Sequence, residues 1–124
     1  MDAIGRLGWI QIDCADPMAQ ATFWGGVLGQ EVGRALGDPA HYVGLVPTVP
    51  GAPEVSFQRV PEPKAVKNRL HMDIAVDDVD AAAVRVVELG GSIVPREDVH
   101  EYGFSWRLAA DPEGNELCLV YGVA

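Results

Sequence analysis

Ile12-Asp13-Cys14-Ala15-Asp16-Pro17 is the stretch that decides the fold of this chain. An extended run ends here against Asp16, whose carboxylate can cap a helix. Pro17 follows at the first helical position, where its missing N–H costs nothing. Upstream, residues 7–14 read as a strand. Downstream, Met18, Ala21, Trp24 and Leu28 fall at helical spacing and Gly29 closes the helix as a left-handed cap. The signature returns 62 residues later (74 − 12). Ile12 falls on Ile74, Asp16 on Asp78, Ala19 on Ala81, Ala21 on Ala83 and Gly29 on Gly91. Further along, Arg34 falls on Arg96, Pro50 on Pro112 and Glu54 on Glu116. The offset is half of the 124-residue chain, and two long copies make a duplicated unit sharing a core, not a solenoid.

In the second copy residues 70–76 read as a strand. Asp78 caps a helix whose apolar face includes Val79, Ala83 and Val86, and Gly90-Gly91 ends it. Three shorter strand candidates follow each helix: 30–36, 41–46 and 54–60 in the first copy, 92–95, 102–110 and 116–121 in the second. Asp111-Pro112-Glu113-Gly114 has the residue order of a type I turn. Each copy is therefore βαβββ, about 1–62 and about 63–124, within one domain. The Pro- and Lys-containing stretch 61–68 is the linker. The fold class expected is α+β, with the two units forming an incomplete barrel around a cup.

Strand phase assigns the faces, because period-2 alternation turns one side to the core. Ile10 and Ile12, Val55 and Phe57, Met72, Ile74 and Val76, and Leu117 and Leu119 form the helix-facing set. Trp9, Gln11, Asp13, Ser56, Gln58, His71, Asp73, Glu116 and Cys118 form the other face, covered by water or curled into the cup. Cys14 and Cys118 belong to opposite phases, which argues against a disulfide. Asp13 and Asp73 put two carboxylates on the polar face. They would share a proton, bind a cation, or pair with Arg69 and Arg107.

Charge narrows the partners. Eighteen acids against nine Lys and Arg give a net charge of −9, which argues against nucleic acid and anionic membranes, both of which require clustered cations. Met1-Asp2 opens no secretory signal pattern. No apolar run approaches the ~18 residues of a membrane span, so a cytoplasmic location is expected. The sequence holds no phosphate loop, no Gly-x-Ser-x-Gly elbow, no Cys-x-x-Cys and no His-Glu-x-x-His.

The paired βαβββ units carry three phrases: Ile12-Asp13-Cys14-Ala15-Asp16-Pro17, Lys67-Asn68-Arg69-Leu70-His71-Met72-Asp73 and Asp111-Pro112-Glu113-Gly114-Asn115-Glu116. Together they resemble the vicinal oxygen chelate superfamily of glyoxalase I, extradiol dioxygenases and bleomycin-resistance proteins. They are closest to its small bacterial glyoxalase-like domain proteins. The resemblance implies that, in metal-dependent members, each unit supplies one ligand from its first strand and one from its last. Those positions here are Trp9, Ser56, His71 and Cys118. His71 suits a divalent ion and Cys118 would serve as a thiolate, but an indole cannot ligate and a serine hydroxyl ligates poorly. The ordinary metal site of the superfamily is dismantled, and no metal cofactor is expected.

The expected function is binding of a small organic ligand without a catalytic metal, in the manner of bleomycin-resistance proteins. Trp9 and Trp106 would give aromatic contact, Gln11, Gln58, His71 and Asp73 would orient the ligand, and Cys118 would line the site. The alternative is a metal-dependent lyase, isomerase or dioxygenase with a relocated divalent ion on His71 with Asp73, Gln11 or Glu116. A third reading is an assembly module with a vestigial cup. The open edge of an incomplete barrel, together with the resemblance, implies a homodimer.

Overall fold

In the computed structural model, which describes residues 2–122, the chain divides into two compact units, Met1–Pro63 and Lys64–Ala124. The first unit starts with strand β1 (Trp9–Cys14) and helix α1 (Pro17–Leu28). Asp16 Oδ1 accepts from the Ala19 N–H at 3.1 Å, and Gly29 ends the helix at φ 66°, as the local signals require. Strands β2 (Val32–Leu36), β3 (Tyr42–Leu45) and β4 (Glu54–Arg59) complete a mixed sheet of order β1-β4-β3-β2, with β1 parallel to β4.

The second unit repeats the plan. Strand β5 (Met72–Ala75) leads to helix α2 (Val79–Glu88), whose cap Asp78 Oδ1 accepts from Ala81 N–H at 3.0 Å. Its sheet has the order β5-β9-β8-β6, built from β6 (Ser92–Ile93), β8 (Phe104–Ala110) and β9 (Glu116–Tyr121), and β5 runs parallel to β9. Among the described residues, two helices and two mixed sheets, neither closed into a barrel, make this an α+β fold.

Two local expectations need correcting. The second unit has an additional short strand, β7 (Val99–Glu101), which pairs with β8 through a two-residue turn at Tyr102-Gly103. Both turn residues have positive φ, 51° and 81°, the geometry of a tight hairpin. Tyr102 is therefore a turn residue, 95% exposed, although its side chain reads as a strand former. In α1 the buried stripe is Pro17, Gln20, Ala21 and Trp24, so the helical period holds but begins one residue before the exposed Met18.

Each helix packs on one face of its own sheet. The first unit's core is aromatic: Trp24 meets Phe23 edge-on at 5.6 Å, and Phe57 is fully buried. Truncating a ring so enclosed costs about 3–5 kcal/mol. The second unit's core is aliphatic, with Leu117, Leu119, Val86, Ala83 and Ala109 inside. Its aromatic residues Phe104 and Trp106 point instead into a pocket on the other side of the sheet. Neither cysteine is in a disulfide; the Cys14 thiol donates to the Gln58 carbonyl at 3.5 Å.

Candidate functional site

The Lys67–Asp73 and Asp111–Glu116 phrases of the second unit are tied to each other by hydrogen bonds. Asp111 N–H donates to the Asn115 carbonyl, while Asp111 Oδ1 accepts from the Glu113 and Asn115 N–H groups, closing the turn before β9. Asn68 then holds the linker to this turn: its Oδ1 accepts from Glu116 N–H at 2.9 Å and its Nδ2 donates to Asn115 Oδ1 at 3.1 Å. Lys67 reaches Glu116 Oε2 at 2.5 Å and Lys64 approaches Oε1 at 3.7 Å. The lysine contact holds the Glu116 carboxyl below its ordinary range. These contacts set where β5 begins, and so where His71 and Asp73 stand.

Against that frame lies a pocket of about 450 Å³, walled by Trp106, Leu108 and Phe104 of β8 and by Cys118 and Val120 of β9. His71, Asp73, Lys67 and Arg96 bring the polar groups. His71 Nε2 lies 3.2 Å from Asp73 Oδ1, and the ligand atoms of His71, Asp73 and Cys118 all fall within 4.8 Å of one another. Burial, and next the Asp73 carboxylate, push the Cys118 thiol above its ordinary range, so it is a protonated wall residue rather than a ready nucleophile.

The first unit carries a smaller pocket of about 190 Å³ at equivalent positions. Trp9 stands where the second unit has His71, Gln11 where it has Asp73, Ser56 where it has Cys118, Tyr42 where it has Phe104, and Arg34 where it has Arg96. The size difference has a local cause. Gly44 occupies the position of Trp106, and the Glu54 side chain lies across it; a Cβ there would stand 2.0 Å from Glu54 Oε1. The equivalent carboxylate in the second unit, Glu116, is drawn off onto Lys64 and Lys67.

Of the residues singled out from sequence, His71, Asp73, Trp106 and Cys118 come together in the larger pocket, and Trp9 and Gln11 meet in the smaller. Gln58 lines neither; it sits on β4 in the row Asp13–Gln58–Tyr42. Sequence reasoning missed Phe104, Leu108, Lys67 and Arg96 as pocket residues. Phe104 and Leu108 share the phase of Trp106, and Arg96 is the repeat partner of Arg34, so the signals were there. Arg107 is not the partner of Asp13 or Asp73. It lies on the opposite face and forks onto Asp98, with Nε–Oδ1 2.8 Å and Nη2–Oδ2 3.0 Å, while reaching Asp80 on α2.

The four superfamily positions do not fit a shared metal ion. The Trp9 indole has only an N–H donor, and the buried Ser56 hydroxyl donates to the Val43 carbonyl at 3.3 Å. Any ligating capacity at these positions is confined to the second unit.

Residues 9–120 match the family described as Glyoxalase-like domain. The chain belongs to that family, and with it to the vicinal oxygen chelate superfamily. The glyoxalase-like domain shares its fold with a glyoxalase/bleomycin resistance protein/dioxygenase family enzyme from Burkholderia phytofirmans. The TM-score is 0.74 at 18% identity, with 95% of this chain and 99% of that one covered. A hypothetical protein from S. aureus gives 0.69 at 20% identity, covering 96% and 99%. TioX from Micromonospora sp. ML1 gives 0.63 at 20% identity, covering 95% and 99%. No curated protein matches the domain in sequence. No described helix is long and apolar enough to cross a membrane.

Proposed function

We propose that this glyoxalase-like domain binds a small organic ligand, with a flat aromatic part, in the pocket of its second unit, and does so without the metal of its metal-dependent relatives. What supports this is the second-unit pocket itself. Its volume of about 450 Å³ suits a small molecule, and Trp106, Phe104, Leu108 and Val120 offer apolar wall around a few convergent polar groups. Trp9 and Gln11 line the smaller pocket of the first unit, a candidate for a ligand contact of its own. Calorimetric titration with aromatic compounds, checked by thermal shift, tests the proposal. Ligand binding should weaken in Trp106→Ala and His71→Ala, and binding indifferent to both would place the ligand elsewhere.

One observation favours a second reading, a metal-dependent lyase, isomerase or dioxygenase. His71, Asp73 and Cys118 bring nitrogen, oxygen and sulfur donors to one spot. They would hold a divalent ion from a single unit, and such an ion supplies polarisation of a substrate carbonyl. The raised Cys118 pKa works against this, since a thiol must lose its proton to ligate. Glu116, committed to two lysines, is not disposed to join it. Elemental analysis of protein purified without chelator separates the readings. Stoichiometric zinc, nickel, manganese or iron, lost on His71→Ala, would replace the first by the second.

A homodimer is part of the proposal. Strand β2 is a sheet edge with all five residues exposed, the kind of edge that association covers. Light scattering should give twice 13.3 kDa; a mass of 13.3 kDa would reject the dimer.

A further inference from the structure

We infer that the ligand of the second-unit pocket carries an anionic group, a carboxylate or a phosphate ester, received by Arg96 while its ring lies on Trp106 and Phe104. This rests on the binding reading above and adds the charge of the ligand. The domain has twice as many acids as bases, 18 against 9, yet the wall of this pocket reverses the ratio. Lys67 and Arg96 line it with a single carboxylate, Asp73, which is already in contact with His71; Lys67 is held by Glu116, so Arg96 is the lining cation left for a ligand.

Most other cations of this unit are engaged, and Arg69, which has no ion pair among the described residues, does not line the pocket. Lys64 and Lys67 hold Glu116, Arg85 holds Glu88, and Arg107 holds Asp98 and Asp80. Asp98, two residues from Arg96 in sequence, is the obvious local partner, but both of its oxygens are engaged by Arg107 and one of them also by Tyr121. Among the described residues no ion pair engages the Arg96 guanidinium, and it stands at the pocket wall. An arginine fork offers two parallel N–H donors to a carboxylate or phosphate, which a neutral or cationic ligand would leave unused.

The repeat provides an internal comparison. Arg34 occupies the equivalent wall of the first unit, so the arginine is present in both copies. There, however, the carboxylate of Glu54 stands in the same pocket and Gly44 replaces the tryptophan. In the second unit the matching carboxylate is held by lysines. Among the described residues, this copy combines the large aromatic wall with an arginine that no ion pair engages and a matching carboxylate drawn off onto lysines.

Calorimetric titration of the full chain with four naphthalene compounds tests this: 2-naphthoate, 2-naphthyl phosphate, 2-naphthamide and 2-naphthylmethylammonium. At least one anion should bind about tenfold tighter than the amide, and the ammonium weakest. Which anion is preferred distinguishes a carboxylate ligand from a phosphate ester. The advantage should fall to within about twofold in Arg96→Gln and persist in Arg85→Gln, whose target lies outside the pocket. Raising the salt from about 50 to about 500 mM should shrink it as well. Amide or ammonium binding as tightly as both anions, or an anion preference surviving in Arg96→Gln, would overturn the inference and leave the pocket reading intact. If none of the four compounds binds, or Trp106→Ala changes nothing, the pocket reading falls and the inference with it.

Discussion

Replacing Asp98 by Asn should destabilise the domain by about 2 kcal/mol at neutral pH, and the loss should disappear in acid. The Asp98 side chain is 18% exposed and that of Arg107 22%, so the fork between them is largely shielded from water. Hydrogen bonds to charged groups contribute about 1.5–3 kcal/mol, and partial exposure places this pair toward the lower end. Asp80 meets the same guanidinium at 3.0 Å but is 86% exposed. An ion pair so open contributes no more than about 0.5 kcal/mol, which makes Asp80→Asn the control. The sign of the pH dependence follows from Arg107, and then from Tyr121, holding the Asp98 carboxyl below its ordinary value of 3.8. A depressed carboxyl contributes stability that is fully present above the unfolded value. That stability is lost as pH falls through the folded value. Urea unfolding followed by circular dichroism from about pH 7 to about pH 2.5 would trace both curves. The wild-type and Asp98→Asn curves should stay parallel down to about pH 4 and converge below it. A difference under about 0.5 kcal/mol at neutral pH, or one that persists at the acid end, would refute the assignment.

Three further outcomes are expected. Gly25→Ala gains up to about 1 kcal/mol of helix propensity, but its Cβ would stand 2.7 Å from the Gln30 carbonyl oxygen, a backbone atom. Overpacking of about 1–3 kcal/mol should win, so Tm falls by several degrees in calorimetry; an unchanged or higher Tm would contradict the packing described. Asn68→Ala removes two hydrogen bonds and should cost about 1–2 kcal/mol, with faster hydrogen exchange at the Glu116 amide as its local signature. Cys118 should react with iodoacetamide much more slowly than an unfolded thiol and faster again in Asp73→Asn, as read by peptide mass mapping. Equal rates in folded and unfolded protein would remove the case for a protonated wall thiol.

The fold was legible because its decisive signals are local. Asp16-Pro17 and Asp78 act within three residues, and Gly29 and the Asp111 turn within four, so they keep their meaning wherever the segment lies. The repeat added long-range information without any alignment, since residues 62 apart occupy the same place in the two sheets. The extra strand β7 escaped because it depends on Tyr102 taking a positive φ, which side-chain preference for strands argues against. Met18 was misplaced because a helical stripe shifted by one residue still shares Ala21 and Trp24.

The site was legible in part, for a different reason. Strand phase put His71, Asp73 and Cys118 on one face, and parallel pairing of β5 with β9 set Asp73 beside Cys118. Ion-pair choice is not local, and sequence proximity misleads. Arg107 was open to Asp13 or Asp73 on paper, but its phase turns it to the helix side, where Asp98 and Asp80 wait. Sequence alone therefore determined the duplicated α+β architecture, the caps and turns, and that an indole and a hydroxyl, Trp9 and Ser56, stand at two of the four positions where the resemblance implies ligands. Only the tertiary structure decided which charges are spent. It binds Glu116 to Lys64 and Lys67, engages Asp98 with Arg107, and leaves Arg96 at the wall of the aromatic pocket, because pairing among charges is set by distances across strands that no spacing along the chain encodes.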